Sequence, residues 1–310
     1  MTNCKEDPDK LYYSDKVEDI IKFYYCFDSI EELIEWMKSR PSAPINIVEK
    51  EGNSDIVFVI PTPNANDELT QNLSKSLNGF HQIFVESSGK YFNYAKSINR
   101  GVKEALKYNP KWIIVSNNDI IIKDDINKLY QKLMKIDNKK YKMIIRTDGT
   151  EMFELYRMNK LLNLAIFTKY KYVIKIFKKY NANYIASFHK IDYKIKILSS
   201  ILYRPIIKIE NLSFFGPFLI LSPYYITEHN KKLFDENYIN GIEDVELLLD
   251  IISNHSYTTI YFDLNHLDGK SLGKNIQRTI RNYLNMVYLN YKIKKGFINI
   301  KKIHISLRPI

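Results

Sequence analysis

Apolar and polar positions change period several times along the chain, and the changes mark out its elements. Residues 15–40 carry apolar positions at helical spacing, with Leu33, Ile34, Trp36 and Met37 forming a stripe. Asp28-Ser29 supply a cap, Glu31 and Glu32 suit a helix's first turn, and Pro41 and Pro44 close the segment. From Asp55 onward, short apolar runs alternate with amphipathic stretches. Ile56 to Ile60 reads as a strand, broken by Pro61 and Pro63, and "ELTQNLSKSL" as a helix. Ile83 to Val85 forms a second strand, followed by a helix with Ala95, Ile98, Val102 and Leu106 on one side. "KWIIVSNNDIII" is a third strand, "DDINKLYQKLMKI" a helix capped by Asp124 or Asp125, and "KMIIRTDG" a fourth strand. This alternation predicts an α/β fold with a mainly parallel central sheet flanked by helices.

The pattern changes between Met152 and Lys208. Leucines, isoleucines and phenylalanines are interleaved there with Lys169, Lys171, Lys175, Lys178 and Lys179, and the spacing predicts helix. Strand–helix character resumes at "LSFFGPFLILSPYYI", read as a strand pair or hairpin around Gly216-Pro217. A helix opened by Glu243 and Asp244, a late strand ending in "LNHLDG" and a C-terminal helix complete the chain. The expected organisation is an N-terminal helical extension over 1–54 and a catalytic α/β domain over 55–273. A basic insertion occupies 152–208 of that domain, and a C-terminal helix and tail cover 274–310.

Charge sharpens this division. The net charge is +11, and residues 160–208 hold eleven Lys or Arg against one acid, Asp192, so this one segment carries nearly all of it. It reads as a solvated insertion, as an amphipathic contact to an anionic membrane surface through 160–208, or as a protein or nucleic-acid contact. The 45% hydrophobic content allows a sizeable core. Cys4 and Cys26 fit neither a disulfide scaffold nor a zinc spacing, which points to a reducing compartment. The charged amino terminus is unlike a signal peptide, and apolar runs stay short of the ~18–20 residues of a membrane span. The expected location is cytoplasmic, free or peripheral on the inner face of a membrane. No GxGxxG or Walker A sequence follows the first strand, which disfavours a dinucleotide site or P-loop.

Candidate chemistry gathers where strands end or helices begin. Asn117-Asn118-Asp119 sits at the tip of a buried strand, where open α/β sheets bind ligands, although Asn-Asn-Asp also suits a plain turn. Asp119 is an oxygen ligand for Mg²⁺ or Mn²⁺, Asn117 can assist, and an imidazole at His266 would favour Mn²⁺. Glu243-Asp244 either balances a helix dipole or holds a carboxylate for proton transfer, with Gly241 permitting close backbone approach.

The colinear run "VFVIPTPNAN", "IFVESSG", "FNYAKSINRGVKEAL", "SNNDI", "GPFLILSPYYI", "KLFDENYINGIEDVELLLDI" and "IYFDLNHLDGKSLG" resembles family 2 glycosyltransferases of the GT-A fold, especially the rhamnosyltransferase-like branch. The resemblance implies a metal-dependent, inverting transfer of a sugar from a nucleoside-diphosphate donor to a saccharide, lipid-linked or protein acceptor. Pro61, Thr62 and Glu86 would line the nucleotide pocket, with Glu86 in place of the family's usual Asp. Asn99 and Arg100 would face the donor, and Asn118 would join the same site. Asp119, Asn117 and His266 would hold Mn²⁺ or Mg²⁺. Asp244 would be the general base, with Glu243 as the alternative. Two rival readings remain: a protein that binds sugar nucleotides without turning them over, and a nucleic-acid-binding protein. The second is disfavoured because the positive charge avoids the acidic motifs and no nucleic-acid motif is present.

Overall fold

The computed structural model describes residues 4, 6–147, 151–157, 171–190, 205–209, 216–267 and 275–300. The chain opens with three helices, α1 (Pro8–Tyr12), α2 (Val17–Tyr25) and α3 (Ile30–Ser39). Residues 15–40 thus form two helices, separated where Ser29 accepts from the Glu32 amide and Glu32 reaches back to the Asp28 amide. This is a capping-box-like pair in which the Glu32 side chain reaches the amide one residue before the cap, and it marks a new helix start. A disulfide joins Cys4 to Cys26 beside the end of α2, which corrects the reading that disfavoured a disulfide for this pair. Such a bridge also runs against the reading of a reducing compartment.

Next come β1 (Asn46–Lys50), β2 (Asn53–Thr62), α4 (Glu68–Ser76), β3 (Phe80–Glu86), α5 (Tyr94–Ala105), β4 (Trp112–Ser116), β5 (Ile120–Ile122), α6 (Ile126–Lys135) and β6 (Met143–Thr147). After these lie β7 (Glu151–Arg157), α7 (Lys171–Lys179), β8 (Tyr184–Lys190), β9 (Pro205–Ile209), β10 (Phe218–Leu221), α8 (Pro223–Glu228), α9 (Glu243–Asn254), β11 (Tyr257–Tyr261), β12 (Leu264–His266) and α10 (Ile276–Lys294).

Seven strands form one sheet in the order β1-β3-β2-β4-β10-β6-β11. β2 runs parallel to β3 and β4, and β6 parallel to β11, but β1 and β10 are antiparallel to their neighbours. The sheet is mixed, which corrects the mainly parallel expectation. β1 pairs along the edge with β3, so the N-terminal extension reaches into the sheet instead of ending before it. Of the strand pair expected around Gly216-Pro217, the half before the turn, residues 211–215, lies outside the described residues, and the half after it is β10. β10 is followed by a short helix, because Ser222 caps it and Pro223 sits in its first turn.

Strand alternation builds two cores. Val57, Val59, Ile83, Val85, Ile113 and Val115 face one side of the sheet and pack with α5, α9, α10 and the N-terminal helices. Ile56, Phe58, Ile60, Trp112 and Ile114 face the other side, under α4 and α6. α5 lies very close to the sheet at Gly101, where an added methyl would stand 2.4 Å from Val59 Cγ1 and 2.7 Å from Val85 Cγ2. Both valines are fully buried and cannot swing aside. Gly101→Ala is therefore expected to lower unfolding stability in urea by about 1–3 kcal/mol, the usual cost of overpacking, despite alanine's better helix propensity.

The basic segment is mostly strand where it is described. β7 pairs antiparallel with β8 and with β9 in a separate three-stranded sheet, which corrects the helical expectation outside residues 171–179. Phe153 and Leu155 alternate into the core, so the period of β7 is two once its partners are present. α7 keeps the amphipathic pattern, and its apolar face is covered by the protein itself. Val173, Ile174, Ile176 and Phe177 are buried, with Phe177 edge-on to Tyr283 of α10, while Lys175 and Lys178 point outward. An apolar face sealed in this way is not available for lipid, so within 171–179 the solvated-insertion reading fits. Residues 158–170 and 191–204, with the membrane-surface and nucleic-acid readings that fall on them, lie outside the described residues. Among the described residues no helix is long and apolar enough to cross a membrane.

Candidate functional site

The site is built where the middle strands end. β4 runs into the Asn117-Asn118-Asp119 turn, and the three side chains part company there. Asp119 is buried, and its Oδ1 lies 3.1 Å from His266 Nε2. The antiparallel pairing of β12 with β5 sets His266 opposite Ile120, one residue beyond Asp119, and the Leu267 amide donates to the Asp119 carbonyl. Asn117 instead accepts from the Tyr94 hydroxyl at 3.0 Å. Asn118 turns back into the β2–α4 connection, where its amide stands 3.2 Å from Thr70 Oγ1 and 3.4 Å from Thr62 Oγ1.

The acidic start of α9 reaches the same place from the other side. The Asn117 amide donates to the Pro217 carbonyl, which ties the turn to the entry of β10. Next to it, a methyl on Gly216 would stand 2.2 Å from Asp244 Oδ2, so only glycine leaves room for that carboxylate. Tyr94 lies among the acids. Its hydroxyl is pushed well above its ordinary value, first by burial and then by the nearby Glu243, Asp244 and Asp119 carboxylates. Asp119, Asn117, His266, Asp244 and Glu243 are thus gathered around Tyr94 and the Gly216-Pro217 turn.

The two neighbouring acids of α9 differ. Glu243 is buried, and its Oε2 accepts from the Gly241 amide at 2.7 Å. Burial, reinforced by the charge of Asp244, pushes the Glu243 carboxyl up to about 8, so it is protonated at neutral pH. Asp244 is half-buried and is raised by burial, partly offset by the Val245 amide that donates to its Oδ1. Between the helix and the preceding loop stands Ile242 with φ of +74°, a backbone state that a β-branched residue adopts only under constraint.

A set of asparagines supplies that constraint. Asn93 donates to the Glu236 and Tyr238 carbonyls, and Asn240 accepts from the Tyr94 amide. Asn285 of α10 exchanges two bonds with the Ile239 backbone. Asn99 accepts from the Leu233 and Phe234 amides and donates to the Phe234 carbonyl and to Glu236. Its amide is spent on holding residues 233–236, which corrects its placement as a donor contact. Arg100 pairs with Glu104 at 3.1 Å, on the part of α5 beyond Tyr94, and does not join the acids.

The nucleotide-pocket candidates are adjacent but divided in role. Thr62 is buried and its hydroxyl is engaged with Asn64, Asp67 and Thr70, so Thr62 and Asn118 brace the loop over residues 63–67. Pro61 and Glu86 end the parallel strands beside it. Glu86 accepts from the Ala65 amide and from Asn46, both at 2.8 Å, and these bonds hold its carboxyl below the usual range. Tyr94 and Gly216 were not singled out by sequence. Tyr94 had a signal in its place on the first turn of the helix after the second strand. Gly216 had one in the Gly-Pro pair facing the end of β4.

The donor set at Asp119 fits Mg²⁺ or Mn²⁺. Adjacent ligands of an octahedral ion bound at about 2.0–2.1 Å lie about 3 Å apart, which matches the 3.1 Å between Asp119 Oδ1 and His266 Nε2. Among the described residues this pair gathers no third His, Cys, Asp or Glu at similar range, leaving the remaining positions to Asn117, water or a ligand. No protein-family model matches the chain, and no curated protein matches it.

Proposed function

We propose that the protein is a glycosyltransferase of GT-A type, acting on a nucleoside-diphosphate sugar and an acceptor hydroxyl. One observation carries the reading: the Asp119–His266 pair and the Asp244 carboxylate, far apart in sequence, both border Tyr94, whose hydroxyl bonds Asn117, with Asp244 packed beside Gly216. A hard-cation pair beside a carboxylate able to accept a proton is the equipment that sugar transfer requires. The mixed sheet flanked by helices supports the same fold.

Asp119 and His266 would hold Mn²⁺ or Mg²⁺, with Asn117, whose side-chain oxygen accepts from Tyr94, as a further candidate ligand; the ion would supply Lewis-acid stabilisation of negative charge on the departing diphosphate. Pro61 and Glu86 border the nucleoside. Asp244 takes the proton of the acceptor hydroxyl as that oxygen bonds to the anomeric carbon. The bond from that carbon to the diphosphate oxygen breaks on the opposite side, and the nucleoside diphosphate leaves with the electron pair. Glu243, protonated at neutral pH, is the poorer base of the two. Thr62, Asn118 and Asn99 position the loops that carry the site.

The test is a screen of nucleoside-diphosphate sugars by thermal shift, followed by donor hydrolysis, with and without Mn²⁺. A metal-dependent shift with one nucleotide class, and slow hydrolysis of that donor, is the expected result. Binding without hydrolysis or transfer would turn the reading to a sugar-nucleotide-binding protein, and no response to any donor would end it.

A further inference from the structure

A second cluster lies at the opposite end of α9. His229 follows α8, Asp250 sits in the last turns of α9, and His255 caps that helix. His229 Nε2 stands 3.6 Å and His255 Nε2 3.4 Å from the same atom, Asp250 Oδ2. All three ligand atoms fall within 4.8 Å of one another, the one such trio of His, Cys, Asp or Glu among the described residues. Neighbouring ligands of a tetrahedral ion bound at about 2.0–2.1 Å are about 3.3–3.4 Å apart, so both measured edges are near that value.

The surroundings orient these atoms as ligands. His229 Nδ1 faces the Tyr225 carbonyl at 2.8 Å. In the neutral ring that contact places the proton on Nδ1 and turns the Nε2 lone pair toward Asp250. A lone pair aimed at a carboxylate oxygen is unfavourable, and either a second proton on the ring or a metal ion between the two atoms removes that repulsion. The Tyr225 hydroxyl donates to Asp250 Oδ2 at 2.7 Å, and Asn254 donates to Oδ1 at 2.8 Å. Tyr225 thus braces two of the three ligands, as outer groups do around metal-bound histidines and carboxylates. His229 and Asp250 also line a cavity of about 600 Å³, which gives a fourth ligand room to enter.

We propose that His229, Asp250 and His255 form a transition-metal site of Zn²⁺ type, with three protein ligands and one position open to the cavity. Two imidazoles and one carboxylate are a borderline-soft set that suits Zn²⁺ over Mg²⁺. The ion clamps the residue after α8 to the end of α9, the helix whose first turn bears Glu243 and Asp244. This site is independent of the proposed glycosyl transfer.

The full chain is stripped with chelator, incubated with Zn²⁺, desalted and measured for bound metal. The wild type is expected to retain about one Zn²⁺ per chain, and to show visible d–d absorption of four-coordinate character with Co²⁺. His229→Gln and His255→Gln, checked for native circular dichroism, are expected to weaken binding about 10-fold or more. Tyr225→Phe should weaken it less, and Asp119→Asn should leave it unchanged. Retention of no Zn²⁺ by the wild type would overturn the proposal. So would equal retention by both histidine variants, or a loss confined to Asp119→Asn.

Discussion

Asp244→Asn is expected to lower sugar transfer by about 10²–10⁴-fold while leaving donor binding in place, the range spanned by removing a general base. The substitution keeps the side chain's size, and an amide oxygen can still accept from the Val245 amide that now donates to Oδ1. The other carboxylate oxygen is the one packed beside Gly216, facing the turn that holds Asn117. Fold and donor pocket should therefore persist, and the donor-induced thermal shift is the control. Glu243→Gln provides the contrast. Because burial and the Asp244 charge push Glu243 up to about 8, it already carries a proton at neutral pH, and the amide replaces a neutral group. Its transfer rate at pH 7 should stay near that of the wild type. Near-normal turnover of Asp244→Asn, or a larger loss in Glu243→Gln, would overturn the assignment of the base.

The parts of this site were legible in the sequence to different degrees, for physical reasons. The centres of β2, β3, β4 and β6 are buried on both faces, so Ile56–Ile60, Ile83–Val85, Trp112–Val115 and Met143–Ile145 read as short apolar runs, while polar positions such as His81, Gln82 and Arg146 in the same strands did not. The direction of β10 was not legible, because an apolar run carries no sign of which way it crosses the sheet. β7 and β9 were hidden by a competing pattern: the lysine-and-leucine spacing around α7 is helical, and it was extended over neighbours whose strand character depends on their partners. The end-of-strand acids were found because position alone singles them out. The roles of the asparagines were not. Asn117 and Asn118 are adjacent and chemically identical, yet one meets Tyr94 and the other the Thr62–Thr70 hydroxyls. Asn99 is spent on Leu233 and Phe234, more than 130 positions away, and no local pattern encodes such a partner. The cysteine pair misled for a related reason: its spacing matches no motif, and only the packing of the first helices brings the thiols together.

Asp119→Asn is expected to reduce metal-dependent donor hydrolysis by about 10²–10³-fold, the scale of losing one preorganised electrostatic group. The reasoning rests on burial. Asp119 is 3% exposed, and its Oδ1 faces His266 across 3.1 Å, so the carboxylate is committed to one direction and water cannot easily substitute for it. Asparagine keeps the shape, and the backbone bond from Leu267 to the Asp119 carbonyl is untouched, so the turn should survive. What disappears is the negative charge. The Mn²⁺ concentration giving half-maximal hydrolysis should therefore rise, and His266→Gln should raise it less, since an amide oxygen can still act as a neutral ligand. Asp244→Asn should leave that concentration where it was. If Asp119→Asn shifted neither the rate nor the metal requirement, the Asn-Asn-Asp segment would be a turn and nothing more, and Asp119–His266 an ion pair that closes β5 against β12.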